Sequence, residues 1–111
     1  LKKPFPCITD DFKDDKEVVL KLIKTNGFLL GYVSDDLRND KEVVLNAVNS
    51  YGHALQFASE NIRDNEQVVM AAVKKNGWAL QYASDRLIDN ETVVMVAVKK
   101  MEMQYDMHLT D

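Results

Sequence analysis

A single spacing constrains what this chain can fold into. Val18-Val19 recurs as Val43-Val44, Val68-Val69 and Val93-Val94, each pair 25 residues after the last. Gly27, Gly52 and Gly77 keep the same period, as do Leu30, Leu55 and Leu80. Ser34, Ser59 and Ser84 form a further column, and Leu37, Ile62 and Leu87 another. Self-similarity at such a period marks a repeat architecture. Each unit is one supersecondary element that cannot bury its apolar face alone, so neighbours stack. The 111 residues divide into units at about 14–38, 39–63, 64–88 and 89–111, after a partial unit at 1–13. In that partial unit Thr9 stands in the serine column and Phe12 in the Leu37 column.

Within a unit the pattern is helical. Val68, Val69, Ala72 and Val73 fall on one helical stripe rather than alternating as in a strand. Asp64 with Gln67, Asn39 with Glu42 and Asp14 with Glu17 read as capping boxes. Asp89 would cap the fourth unit, where Thr92 leaves the box incomplete. Lys74 and Lys75 suit the negative end of a helix dipole. Gly77 then reads as a left-handed terminator, bringing Val73 against Trp78. The equivalent pairs are Ile23 with Phe28 and Val48 with His53. These signals predict a first helix of about 12 residues. A second helix of about two turns follows, then a single turn capped by serine. The fold class is therefore all-α, a short α-solenoid-like array of about four helical hairpin units.

The columns separate fold from surface. Those that stay apolar or glycine are core. Those that change chemistry face solvent or a partner: Lys21 becomes Asn46 and Ala71, and Phe28 becomes His53 and Trp78. The candidate partner surface is Lys21, Asn46, Tyr51, His53, Gln56, Ala71, Lys75, Trp78 and Gln81. At the C-terminus Glu102 replaces the glycine, so the last helix runs on. Met101, Met103 and Met107 supply adaptable apolar surface there, as a cap or a cut face.

The stretch from Asp64 to Leu87, with Val68-Val69, Gly77, Ala79-Leu80, Tyr82 and Ser84, resembles the repeats of the domain-of-unknown-function 4116 family. The likeness runs from about Thr9 to Lys100. It implies an all-α repeat module, often in several copies, and it supplies no catalytic residues.

Motifs for chemistry are few. Cys7 and the two histidines, His53 and His108, share no local motif for nucleophilic catalysis. The recurring serines suit caps. Asp10-Asp11 and Asp14-Asp15 lack the spacing of a calcium loop. Gly27 and Gly31 do not make a phosphate loop. No cofactor or metal is therefore expected. A net charge of −4 argues against nucleic acid, although the recurring lysines could align into a stripe. No apolar run is long enough to span a bilayer. The single cysteine fits a reducing, cytoplasmic setting. The chain is expected to be part of a larger protein, as a non-enzymatic module for protein or peptide binding or for scaffolding. The alternatives are an accessory region of a multidomain enzyme or effector, and a spacer without a partner.

Overall fold

The valine pairs set the frame. In the computed structural model, which describes residues 13–109 with side chains through Tyr105, they lie on ten-residue helices. Helix α1 (Lys16–Thr25) leads into a six-residue 3-10 segment, η1 (Gly27–Tyr32), and a one-turn helix, α2 (Asp35–Arg38). The trio recurs as α3 (Lys41–Ser50), η2 (Gly52–Phe57) and α4 (Glu60–Arg63). It recurs again as α5 (Glu66–Lys75), η3 (Gly77–Tyr82) and α6 (Asp85–Ile88), before α7 (Glu91–Leu109) closes the chain. The long helices pack side by side in one layer, and the 3-10 segments pack side by side in a second layer against them. No strand occurs among the described residues. Cys7, Thr9, Phe12, Asp10 and Asp11, and the side chains of Met107 and His108, lie outside what is described.

The core follows the stripe. Val43, Val44, Ala47 and Val48 are fully buried, as are Val68, Val69, Ala72 and Val73. Burying a valine side chain contributes about 1.5 kcal/mol or more. The stack of valines is therefore the main source of cohesion. Residues on the last helix are less covered: Val98 is 41% exposed where its equivalents Val48 and Val73 are 0%.

Three local readings of the sequence need correction. The long helices start one residue later than the capping boxes require. Their N-caps are Asp15, Asp40 and Asn65, whose side chains accept N–H bonds from the first helical turn. Asn90 does the same for Val93. Position N3 is then a valine, and no capping box forms. Asn39 and Asp64, which follow α2 and α4, instead hold the serine of the next connector. Ser59 donates its hydroxyl to Asn39 Oδ1 at 2.6 Å, and Ser84 donates to Asp64 Oδ1 at 2.5 Å.

The glycines are the second correction. None of the four lies in the left-handed region, so they are not C-terminal caps of that kind and no such ending brings Val73 to Trp78. Each helix instead ends on a residue outside the helical region, Asn26, Tyr51 or Asn76, whose N–H still bonds back to the helix. The glycines are required by contact between units. A Cβ on Gly27 would sit 2.3 Å from the carbonyl oxygen of Ala47. On Gly52 it would meet Ala72 O at 2.9 Å, and on Gly77 it would meet Ala97 O at 2.4 Å. Each 3-10 segment thus lies directly on the backbone of the next long helix.

Third, the second element winds as 3-10, not α, and the first is ten residues rather than twelve. Six residues at three per turn still make two turns. Tight winding eclipses residues three apart. It puts Gly27 with Leu30, and Gly52 with Leu55, on one buried edge.

The serines cap the one-turn helices as the sequence predicts: Ser34, Ser59 and Ser84 accept from the N–H groups of Leu37, Ile62 and Leu87. Their own N–H groups reach back one unit, to the carbonyls of Lys13, Arg38 and Arg63 at 3.0–3.2 Å. The connectors of Ser59 and Ser84 are therefore tied to their predecessors through both backbone and side chain. In the last one Arg86 adds Nε to Asp64 Oδ1 at 3.0 Å and Nη2 to Asp64 O at 2.7 Å. The Ser84 hydroxyl, and then Arg86, hold the Asp64 carboxyl below the usual carboxylate range. Burial alone would push Asp40 up, but a hydrogen bond from Lys16 and the N–H groups of Val43 and Glu42 bring it below that range too.

Two predictions follow from these contacts. Gly77→Ala is expected to destabilise by about 3 kcal/mol, because the added methyl meets backbone that cannot move aside. Gly77→Asn should do at least as much harm, although a left-handed cap would tolerate asparagine. A urea midpoint unchanged by Gly77→Asn would reinstate the cap. As to pH, a carboxyl whose folded value is depressed contributes stability above its unfolded value, and that contribution is lost as pH falls through the folded value. Asp64→Asn should therefore have a slightly lower thermal midpoint than the wild type at neutral pH, although the amide can keep the serine hydroxyl bond as Asn39 does with Ser59. The midpoint should also fall less in acid than that of the wild type. Equal acid sensitivity in the two proteins would remove Asp64 from the account.

Candidate partner-binding surface

The core stripe of each long helix leaves a second stripe on the other side. On α5 the residues Glu66, Gln67, Met70, Ala71, Lys74 and Lys75 occupy it, by helical periodicity. With Leu45 and Asn49 of α3 they line an open groove of about 760 Å³. Leu45, Met70 and Ala71 form an apolar floor, and Lys74 and Lys75 stand at one end with Glu66 and Gln67 at the other. A smaller depression of about 310 Å³ continues the surface onto α7, lined by Lys74, Val96, Lys99, Lys100 and Met103. Lys74 belongs to both.

Lys16, Arg38 and Arg86 are held in ion pairs, and none of the three lines this surface. Lys16 pairs with Asp40 and Glu42 at 2.9 Å, Arg38 pairs with Asp35, and Arg86 pairs with Asp64. Lys74, Lys75, Lys99 and Lys100 have no ion-pair partner among the described residues. The helix dipole accounts for Lys74 and Lys75, which close α5. It does not account for Lys99 and Lys100, because α7 continues to Leu109.

The aromatic residues do a different job. Asn76 Oδ1 accepts the Trp78 N–H at 3.0 Å, which orients the amide so that Nδ2 donates to His53 Nε2 at 3.1 Å. His53 therefore carries its proton on Nδ1, which is enclosed without a hydrogen-bond partner among the described residues. Its ring meets Tyr82 edge-on at 5.5 Å and lies tilted against Tyr51 at 5.9 Å. These contacts join the second unit to the third. Trp78, at 45% exposed, stands free of the core.

The nine sequence-predicted residues are thus divided. Ala71 and Lys75 line the groove. Lys21 occupies the Ala71 column on α1 and is exposed; Asn46 occupies it on α3 and donates to Glu42 O at 2.9 Å. His53 meets Tyr82 of the next unit, and Tyr51 lies against His53 within its own unit. Gln56 and Gln81 lie on the 3-10 layer and fold back onto the carbonyls of His53 and Trp78 at 3.1 Å. Gln56, Gln81 and Trp78 are not brought to the groove. The groove's floor residues Leu45 and Met70 were not among the candidates. They belong to a column, Leu20, Leu45, Met70 and Met95, that stays apolar yet lies off the valine stripe. Among the described residues, no three His, Cys, Asp or Glu side chains cluster as a metal site would need. No helix among them is long and apolar enough to cross a membrane.

No curated protein matches the chain, and no solved structure matches it. The family described as Domain of unknown function (DUF4116) matches residues 5–63 and 65–105, nearly the whole length, and the chain belongs to that family.

Proposed function

We propose that the chain is a non-enzymatic helical-repeat module that docks segments of other proteins, serving interaction or scaffolding within a larger protein. One observation carries the reading: an apolar groove stands open on the stripe of the long helices that the core does not use. Apolar floors with polar ends are how proteins receive a helix from a partner. Methionine on such a floor adapts to partners of differing shape. The repeated serines are engaged as caps and staples, which supports reading them as structural. Four units along the chain, at about 14–38, 39–63, 64–88 and 89–111, would present this surface in register. A reducing, cytoplasmic setting suits the lone Cys7.

Affinity capture with three baits tests the reading: wild type, Ala71→Glu in the groove, and Gln81→Ala on the 3-10 layer. The Ala71 column accepts Lys21 and Asn46, so a polar residue there is compatible with folding. A protein held by the wild type and by Gln81→Ala, and recovered about tenfold less on Ala71→Glu, is the expected result. The same set of proteins on all three baits would contradict it.

A further inference from the structure

The groove has a charge direction. Acidic residues stand in the first turns of the long helices, Glu17 and Glu42 in one column and Glu66 and Glu91 in the column that holds Lys16 and Lys41 in the earlier units. The unpaired lysines gather further along, Lys74 and Lys75 on α5 and Lys99 and Lys100 on α7. Between these regions lie Leu45, Met70 and Ala71. In a protein of net charge −4, two lysines at the end of the groove and two more on the depression beside it are a local reversal of sign.

We propose that the groove takes an acidic amphipathic peptide, helical when bound; this rests on the docking reading above. Its apolar residues, spaced three and four apart, lie on the floor. Its carboxylates gather at the end that meets Lys74, Lys75, Lys99 and Lys100. Exposed ion pairs of this kind add specificity and rate of association more than raw affinity. The acidic first turns of α5 and α7 disfavour a long polyanion such as duplex nucleic acid, which would run past the lysines onto like charge. They also orient the peptide, since carboxylates at its other end would meet Glu66.

A selection from random peptides of about 12 residues, long enough as a helix to span α5 at about 1.5 Å per residue, tests this. The targets are the wild-type chain, Ala71→Glu, and a variant combining Lys74→Gln, Lys75→Gln, Lys99→Gln and Lys100→Gln. Circular dichroism first establishes that each is folded. Enriched peptides should be acidic at one end and apolar at helical spacing. They should bind the lysine variant at least about tenfold more weakly and lose affinity as salt rises. Neutral or basic peptides that are lost on Ala71→Glu would overturn the acidic assignment while leaving the docking reading standing. Failure to enrich any peptide would overturn both. Tighter binding of duplex DNA or anionic lipid vesicles than of the selected peptides would overturn the peptide assignment.

Discussion

Everything in this array depends on how closely a 3-10 segment can approach the next long helix. Gly27, Gly52 and Gly77 rest on the carbonyls of Ala47, Ala72 and Ala97. The alanines are themselves buried, and a larger residue there would hold the layers apart. Glycine and alanine together set the distance between units. Once that distance is set, the valines of neighbouring helices can bury each other completely. The contact also explains why one side of the long helices is used up and the other is left open. The 3-10 layer packs against the valine stripe, and nothing in the unit turns round to cover the opposite stripe.

A second set of ties works through the connectors. Backbone bonds from Ser59 to Arg38 and from Ser84 to Arg63 recur with the period. The side-chain acceptor changes from Asn39 to Asp64, and Arg86 joins only where the acceptor is charged. The hydrogen bond is the constant part of this staple, and the charge is an addition. Arg86 is thus engaged in holding units together. Lys74, Lys75, Lys99 and Lys100 gather instead beside the apolar floor of the open stripe, and that gathering is the physical basis for reading the stripe as a surface of contact.

Much of the fold was legible in the sequence. The valine pairs, the 25-residue period and the serine caps depend on neighbours close in the chain, and local patterns report such neighbours well. The continuation of α7 followed from Glu102 in the glycine column. The misreadings share one cause. Glycine after a helix suggested a left-handed cap, and Asp64 before a helix suggested an N-cap, but the glycine answers to the next long helix and Asp64 to the next connector. A contact across a unit boundary leaves the same column in the sequence as a local one. The site was partly legible for a related reason. Ala71 and Lys75 stood out because their columns vary. Leu45 and Met70 did not, because an apolar column looks like core until its position off the valine stripe is noticed. Gln56 and Gln81 stood out as polar residues replacing Gly31, yet their amides serve local carbonyls.

The most direct measurement of the central claim is a proton–proton nuclear Overhauser spectrum of the folded chain. The glycine contact predicts strong cross-peaks from the Gly77 α-protons to the Met101 side chain, and from the Gly27 α-protons to the Tyr51 β-protons. Those pairs are distant in sequence and would be seen only if each 3-10 segment lies on the next long helix. Glycine α-protons with sequential cross-peaks alone, and couplings that place φ in the left-handed region, would contradict the account.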